Sequence, residues 1–71
     1  MGSQMITIKI NSKTQRLNSG ISVTDLLADL HLNTDQVAIE LNQFILPHHC
    51  FSTTVLKDGD RLELVHFVGG G

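Results

Sequence analysis

The chain has 71 residues, of which 41% are hydrophobic and 17% charged, and a formal net charge of −2. That is one domain, burying about 60% of the surface of its unfolded chain, too apolar for intrinsic disorder and too interrupted for a membrane-spanning helix. Five Lys and Arg against seven Asp and Glu leave no basic footprint for nucleic acid, and one cysteine, Cys50, excludes an intramolecular disulfide and fits a cytoplasmic protein.

Met1-Gly2-Ser3-Gln4, ahead of a second methionine, Met5, reads as an expression remnant, and the domain is expected over residues 5–67. Ile6 stands where a myristoylation signal needs Ser or Thr. From Met5 to Ile10, Ile6, Ile8 and Ile10 alternate with Thr7 and Lys9, the period of a strand with one apolar face. Asn11-Ser12-Lys13 is a polar turn, and Thr14 to Asn18 returns as a weaker strand with Leu17 inward, so the pair predicts a hairpin. Asn18-Ser19-Gly20 breaks the pattern. A helix then starts with Ser22 as cap, Asp25 three residues on in the capping-box position, and Ile21 and Leu26 in the hydrophobic-staple positions. It is expected over Val23 to Leu30, with Val23, Leu26, Leu27 and Leu30 forming one apolar stripe. His31 to Gln36 lacks a period and reads as a loop.

Val37, Ile39 and Leu41 alternate with Ala38 and Glu40 as a second strong strand, and Asn42-Gln43 makes a tight turn. Phe44-Ile45-Leu46 is a short strand halted by Pro47, which belongs at a sheet edge because proline cannot donate to a ladder. His48 to Thr54 crosses as a loop, Val55-Leu56 is a brief extended piece, and Lys57-Asp58-Gly59-Asp60 turns into a final strand beginning at Arg61. On that strand Leu62 and Leu64 share one face, and Arg61, Glu63, Val65 and Phe67 the other. If a helix covers the first face, Val65 and Phe67 are exposed as an apolar patch of the kind that meets a partner. The order predicts an α+β domain, one mixed sheet of four or five strands packed on one main helix. It resembles the β-grasp fold of ubiquitin-like proteins, in which the first and last strands pair in parallel at the sheet centre.

After that strand the chain runs Val68-Gly69-Gly70-Gly71. Three glycines have no side chain to bury and the largest backbone entropy, so a flexible tail is expected over 68–71. Its four residues can extend roughly 13–14 Å, enough to thread a narrow channel on a partner enzyme and present the α-carboxylate of Gly71 as the reactive group. The competing reading is a flexible end or linker. His48-His49-Cys50 has the wrong spacing for a metal site, since consecutive residues rarely converge on one ion, and a single cysteine cannot hold an iron–sulfur cluster. Cys50 reads as a partly buried filler, Asp58 and Asp60 as turn formers, and no catalytic triad or phosphate loop is present in the sequence. The chain is expected not to be an enzyme.

Val37-Ala38-Ile39-Glu40-Leu41-Asn42, then Ile45-Leu46-Pro47, then Asp58-Gly59-Asp60, then Leu64-Val65-His66-Phe67-Val68-Gly69-Gly70-Gly71, in this order and with the glycines terminal, resemble the ThiS family of sulfur carriers of thiamine biosynthesis. The resemblance implies that the carboxylate of Gly71 is adenylated by a ThiF-like activating enzyme. That enzyme uses the ATP and magnesium, so the carrier itself binds no cofactor. Sulfur from a cysteine desulfurase-type persulfide source then converts the adenylate to a thiocarboxylate, which a ThiG-like thiazole synthase consumes. Val65, Phe67 and Val68 would dock, Gly69 and Gly70 would thread, and Gly71 would react. The chain departs from the family pattern at Gln43, where Gly often follows Asn42, and at His48, where a basic residue is common. A MoaD-like carrier for molybdopterin shares the tail, but its members tend to approach it through a proline-containing stretch that Val65 to Val68 lacks. A ubiquitin-like modifier or binding module is the alternative without sulfur chemistry.

Overall fold

The computed structural model describes residues 4–67. It comprises β1 (Met5–Ile10), β2 (Lys13–Asn18), α1 (Val23–Asp29), a 3₁₀ turn at Thr34–Gln36, β3 (Val37–Leu41), β4 (Phe44–Leu46), a second 3₁₀ turn at His48–Cys50, and β5 (Arg61–His66). The strands form a single mixed sheet in the order β2-β1-β5-β3-β4. β1 and β5 pair in parallel at its centre, and every other pairing is antiparallel. This is the expected β-grasp arrangement, with the proline-terminated strand at one edge. Among the described residues no helix is long and apolar enough to cross a membrane.

The alternating strands deliver Ile6, Ile8, Val37, Ile39 and Leu62 to one side of the sheet, where they meet Val23, Leu26 and Leu27 of α1. Each fully buried side chain of this kind stabilises by roughly 1.5–3 kcal/mol. Phe51, which the sequence places in a loop, is a core residue with 2% of its surface exposed. The loop that carries it also completes the helix start. The Val23 and Thr24 N–H groups donate to the carbonyls of Thr54 at 3.0 Å and Phe51 at 3.2 Å. Asp25 N–H donates to Ser22 Oγ at 3.1 Å, and Leu26 N–H to the Ser22 carbonyl at 3.0 Å. Ser22 N–H donating to Asp25 Oδ2 closes the capping box, so the four donors without an intrahelical partner, those of Ser22, Val23, Thr24 and Asp25, are all paired.

The helix ends one residue earlier than its apolar stripe predicts. Leu30 is the C-cap and stays 43% exposed. His31 follows at φ 59°, its N–H donating to the Ala28 carbonyl, while Leu32 N–H donates to the Leu27 carbonyl. These are the two bonds of a Schellman motif, with histidine at the left-handed position that usually takes glycine. Both two-residue hairpin turns also use positive φ without glycine: Asn11 at 51° and Ser12 at 71°, Asn42 at 52° and Gln43 at 75°. The turn at Gln43 therefore forms despite the missing glycine.

Candidate docking face and base of the tail

One face of the sheet packs on α1 and the other is open. On β5 the alternation sends Leu62 and Leu64 toward the core, leaving Val65 60% and Phe67 44% exposed on the open side, as expected from their spacing. The register adds two residues that periodicity alone does not single out. Ala38 is paired with Val65 across β3 and β5, and Ile45, 79% exposed, is paired with Glu40 across β3 and β4. Ala38, Glu40, Ile45, Glu63 and Val65 line one shallow concavity on this face.

Charge varies along the same face. Lys9 is the register partner of Arg61, and Glu40 that of Glu63. Arg16, opposite Thr7 on β2, lies on the cationic side. The open face thus passes from cations at the start of β5, through two opposed carboxylates, to apolar side chains where the strand ends. Like charges directly opposite one another repel across a strand pair. An apolar patch rimmed by charge is suited to docking a protein surface. These side chains supply burial and charge and include no nucleophile.

The base of the tail is fixed on both edges of β5. Phe67 N–H donates to the Gln36 carbonyl at 2.9 Å. On the other edge the side chain of Asn11 accepts from Leu64 N–H at 2.7 Å and donates to the Leu64 carbonyl at 3.1 Å. Nothing in the sequence near Asn11 signals this contact, because its partner lies 53 residues away. Val68, Gly69, Gly70 and Gly71, assigned above to docking, threading and reaction, lie outside the described residues.

The remaining sequence candidates have structural partners. Asp58 Oδ1 accepts from Thr7 N–H at 2.7 Å, and the two oxygens of Asp60 accept from Lys57 N–H and Asn42 Nδ2. His48 points Nε2 at the Val37 carbonyl, 2.9 Å away, and its ring lies 4.9 Å from that of Phe51. Cys50 is half-buried. Among the described residues no three His, Cys, Asp or Glu side chains are grouped so as to hold a metal.

Comparison with known proteins follows the same geometry. The chain is 40% identical over 50 residues to the sulfur carrier protein ThiS of Bacillus subtilis, covering 70% of this chain and 76% of that one. It is 36% identical over 62 residues to a thiazole synthase of Paramagnetospirillum magneticum, covering 87% of this chain but 19% of that longer protein. The crystal structure of the thiamine biosynthesis protein ThiS of Geobacter metallireducens superposes with a TM-score of 0.78 at 33% identity, covering 93% of this chain and all of that one. The ThiS family matches residues 3–71, and the chain, with its central parallel strands and its last strand leading into the glycines, belongs to that family.

Proposed function

We propose that the chain is a sulfur carrier of thiamine biosynthesis, a protein co-substrate rather than a catalyst, whose reactive group is the α-carboxylate of Gly71. The observation that carries this reading is the junction at Phe67. A strand fixed on both edges ends beside an exposed apolar patch, and the sequence then continues as Val68 and three glycines. Glycines let another protein's backbone and a phosphate approach the carboxylate without a Cβ in the way.

A carboxylate is a poor electrophile. In the proposed sequence a carboxylate oxygen of Gly71 attacks the α-phosphorus of ATP on a ThiF-like enzyme, and pyrophosphate leaves. The terminal sulfur of a persulfide then attacks the carbonyl carbon and AMP leaves. A thiol cleaves the resulting S–S bond to release the thiocarboxylate. ATP and magnesium belong to the activating enzyme, which supplies the phosphate-binding groups. Val65, Phe67 and Val68 dock on that enzyme, and Gly69 and Gly70 thread its channel.

A thiazole synthase is the proposed acceptor. A segment similar to this chain occurs within a single thiazole synthase polypeptide of Paramagnetospirillum magneticum, and again within that of Magnetococcus marinus. Carrying both partners in one chain raises their effective concentration, which supports this acceptor over a molybdopterin synthase. The test is transfer: the thiocarboxylate form, labelled with a heavy sulfur isotope, is mixed with a thiazole synthase and its other substrates. Label in the thiazole supports the assignment, and label retained on the protein in an active reaction contradicts it.

A further inference from the structure

The backbone groups of β5 face its two edges alternately, and the hydrogen bonds fix which residue faces which. Toward β3 the odd-numbered residues are paired: the Arg61 carbonyl accepts from Asn42 N–H at 2.8 Å, and Phe67 N–H donates to the Gln36 carbonyl. Toward β1 it is the even-numbered residues: the Leu62 carbonyl accepts from Asn11 N–H at 2.9 Å, and Leu64 is bonded through both groups to the Asn11 side chain. His66 is opposite Val37, a non-hydrogen-bonded position of the antiparallel ladder, so its N–H and C=O point toward the β1 edge. There β1 has already ended at Ile10, and Asn11 has turned into the hairpin. Asn11 thus closes the ladder at Leu64 and leaves His66, an exposed residue, as the first donor and acceptor pair with no β1 residue across from it.

We infer that this open edge receives an extended strand of the adenylating partner, which joins the sheet at His66. The inference rests on the carrier reading above. Glycines give a partner no side chain to grip, so specific recognition of the tail falls to backbone hydrogen bonds, the mode used when a strand is added to a sheet edge. His66 is where such pairing begins on a rigid footing, because Leu64 and Phe67 on either side of it are held by Asn11 and Gln36. The amide of Asn11 blocks the incoming strand from sliding toward β1 and so sets its register. Val65 and Phe67, exposed on the open face next to this edge, provide apolar surface for the same partner.

Two variants separate backbone from side chain. His66→Pro removes an N–H that, among the described residues, has no β1 residue across from it, at a position where an edge strand tolerates proline. His66→Ala keeps the N–H and removes the imidazole. Titration of each against a ThiF-like enzyme with a non-hydrolysable ATP analogue is expected to show His66→Ala within about twofold of the unmodified chain and His66→Pro at least about tenfold weaker, the effect of losing one well-made hydrogen bond. Equal affinity of the proline variant and the unmodified chain overturns the inference. Amide hydrogen exchange on the unmodified chain gives an independent reading should the proline variant not fold. The His66 amide is expected to exchange quickly in the free chain and slowly in the complex, and equally fast exchange in both overturns the inference. If the unmodified chain is neither bound nor adenylated by an enzyme active on its own carrier, the carrier reading itself fails and this one with it.

Discussion

Asn42 and Asp60 meet across 18 residues, Nδ2 of the asparagine donating to Oδ1 of the aspartate at 3.0 Å, while Asn42 Oδ1 accepts from Arg61 N–H at 3.0 Å. The same asparagine opens the β3–β4 turn at φ 52°, followed by Gln43 at 75°. One side chain therefore joins the turn to the start of β5 and helps hold a left-handed pair that contains no glycine.

Asn42→Ala removes these two side-chain bonds and places a Cβ-bearing residue without local hydrogen bonding in the left-handed region. The expected loss is about 2–3 kcal/mol in urea unfolding. Gln43→Gly relieves strain at the second turn position and is expected to stabilise by up to about 1 kcal/mol, less the entropy glycine adds to the unfolded chain. A gain in stability for Asn42→Ala would contradict the role given to this contact.

His31 occupies the Schellman position at φ 59°. Glycine adopts this conformation without strain, so His31→Gly is expected to raise stability by about 1 kcal/mol and move the thermal midpoint upward. A drop of similar size would mean that the imidazole makes a contact worth more than the backbone strain.

Phe51 links the crossing loop to the core. Phe51→Ala is expected to cost about 3–5 kcal/mol and, in a domain this small, to leave a substantial unfolded fraction at room temperature. The conservative Phe51→Leu is expected to cost less than half as much. Near-neutral behaviour of Phe51→Ala in denaturant unfolding would contradict its placement in the core.

Phe67, by contrast, is 44% exposed and lies at the end of the open face. Phe67→Ala is expected to change stability by less than about 1 kcal/mol while weakening binding to the activating enzyme by about tenfold or more, as loss of an interface aromatic does. Unchanged affinity would remove Phe67 from the docking surface.

Much of the fold was legible because its strands obey a strict two-residue period. Ile6, Ile8, Val37, Ile39 and Leu62 declare both the strands and their buried faces, and Ser22 with Asp25 marks the helix start. Leu30 misled because it fits the helical stripe, whereas the chain leaves the helix at His31, which carries none of glycine's sequence signal. Phe51 escaped because a lone aromatic in an aperiodic loop has no period to place it. At the candidate docking face, Val65 and Phe67 followed from alternation on one strand. Ala38 and Ile45 needed the pairing of three strands, and Asn11 needed the register between residues 53 apart. Periodicity reports which face a side chain takes and leaves its neighbour on the next strand undetermined.

The central claim is that the carboxylate of Gly71 accepts sulfur, and intact-protein mass spectrometry tests it most directly. The chain is incubated with ATP, magnesium, a ThiF-like activating enzyme, a persulfide source and a thiol reductant, beside a variant lacking Gly71. The expected result is a mass gain equal to exchanging one carboxylate oxygen for sulfur in the full chain and no gain in the truncated, still folded variant. No gain in the full chain with an enzyme active on its own carrier, or conversion of Gly70 in the truncated variant at the normal rate, would contradict the account.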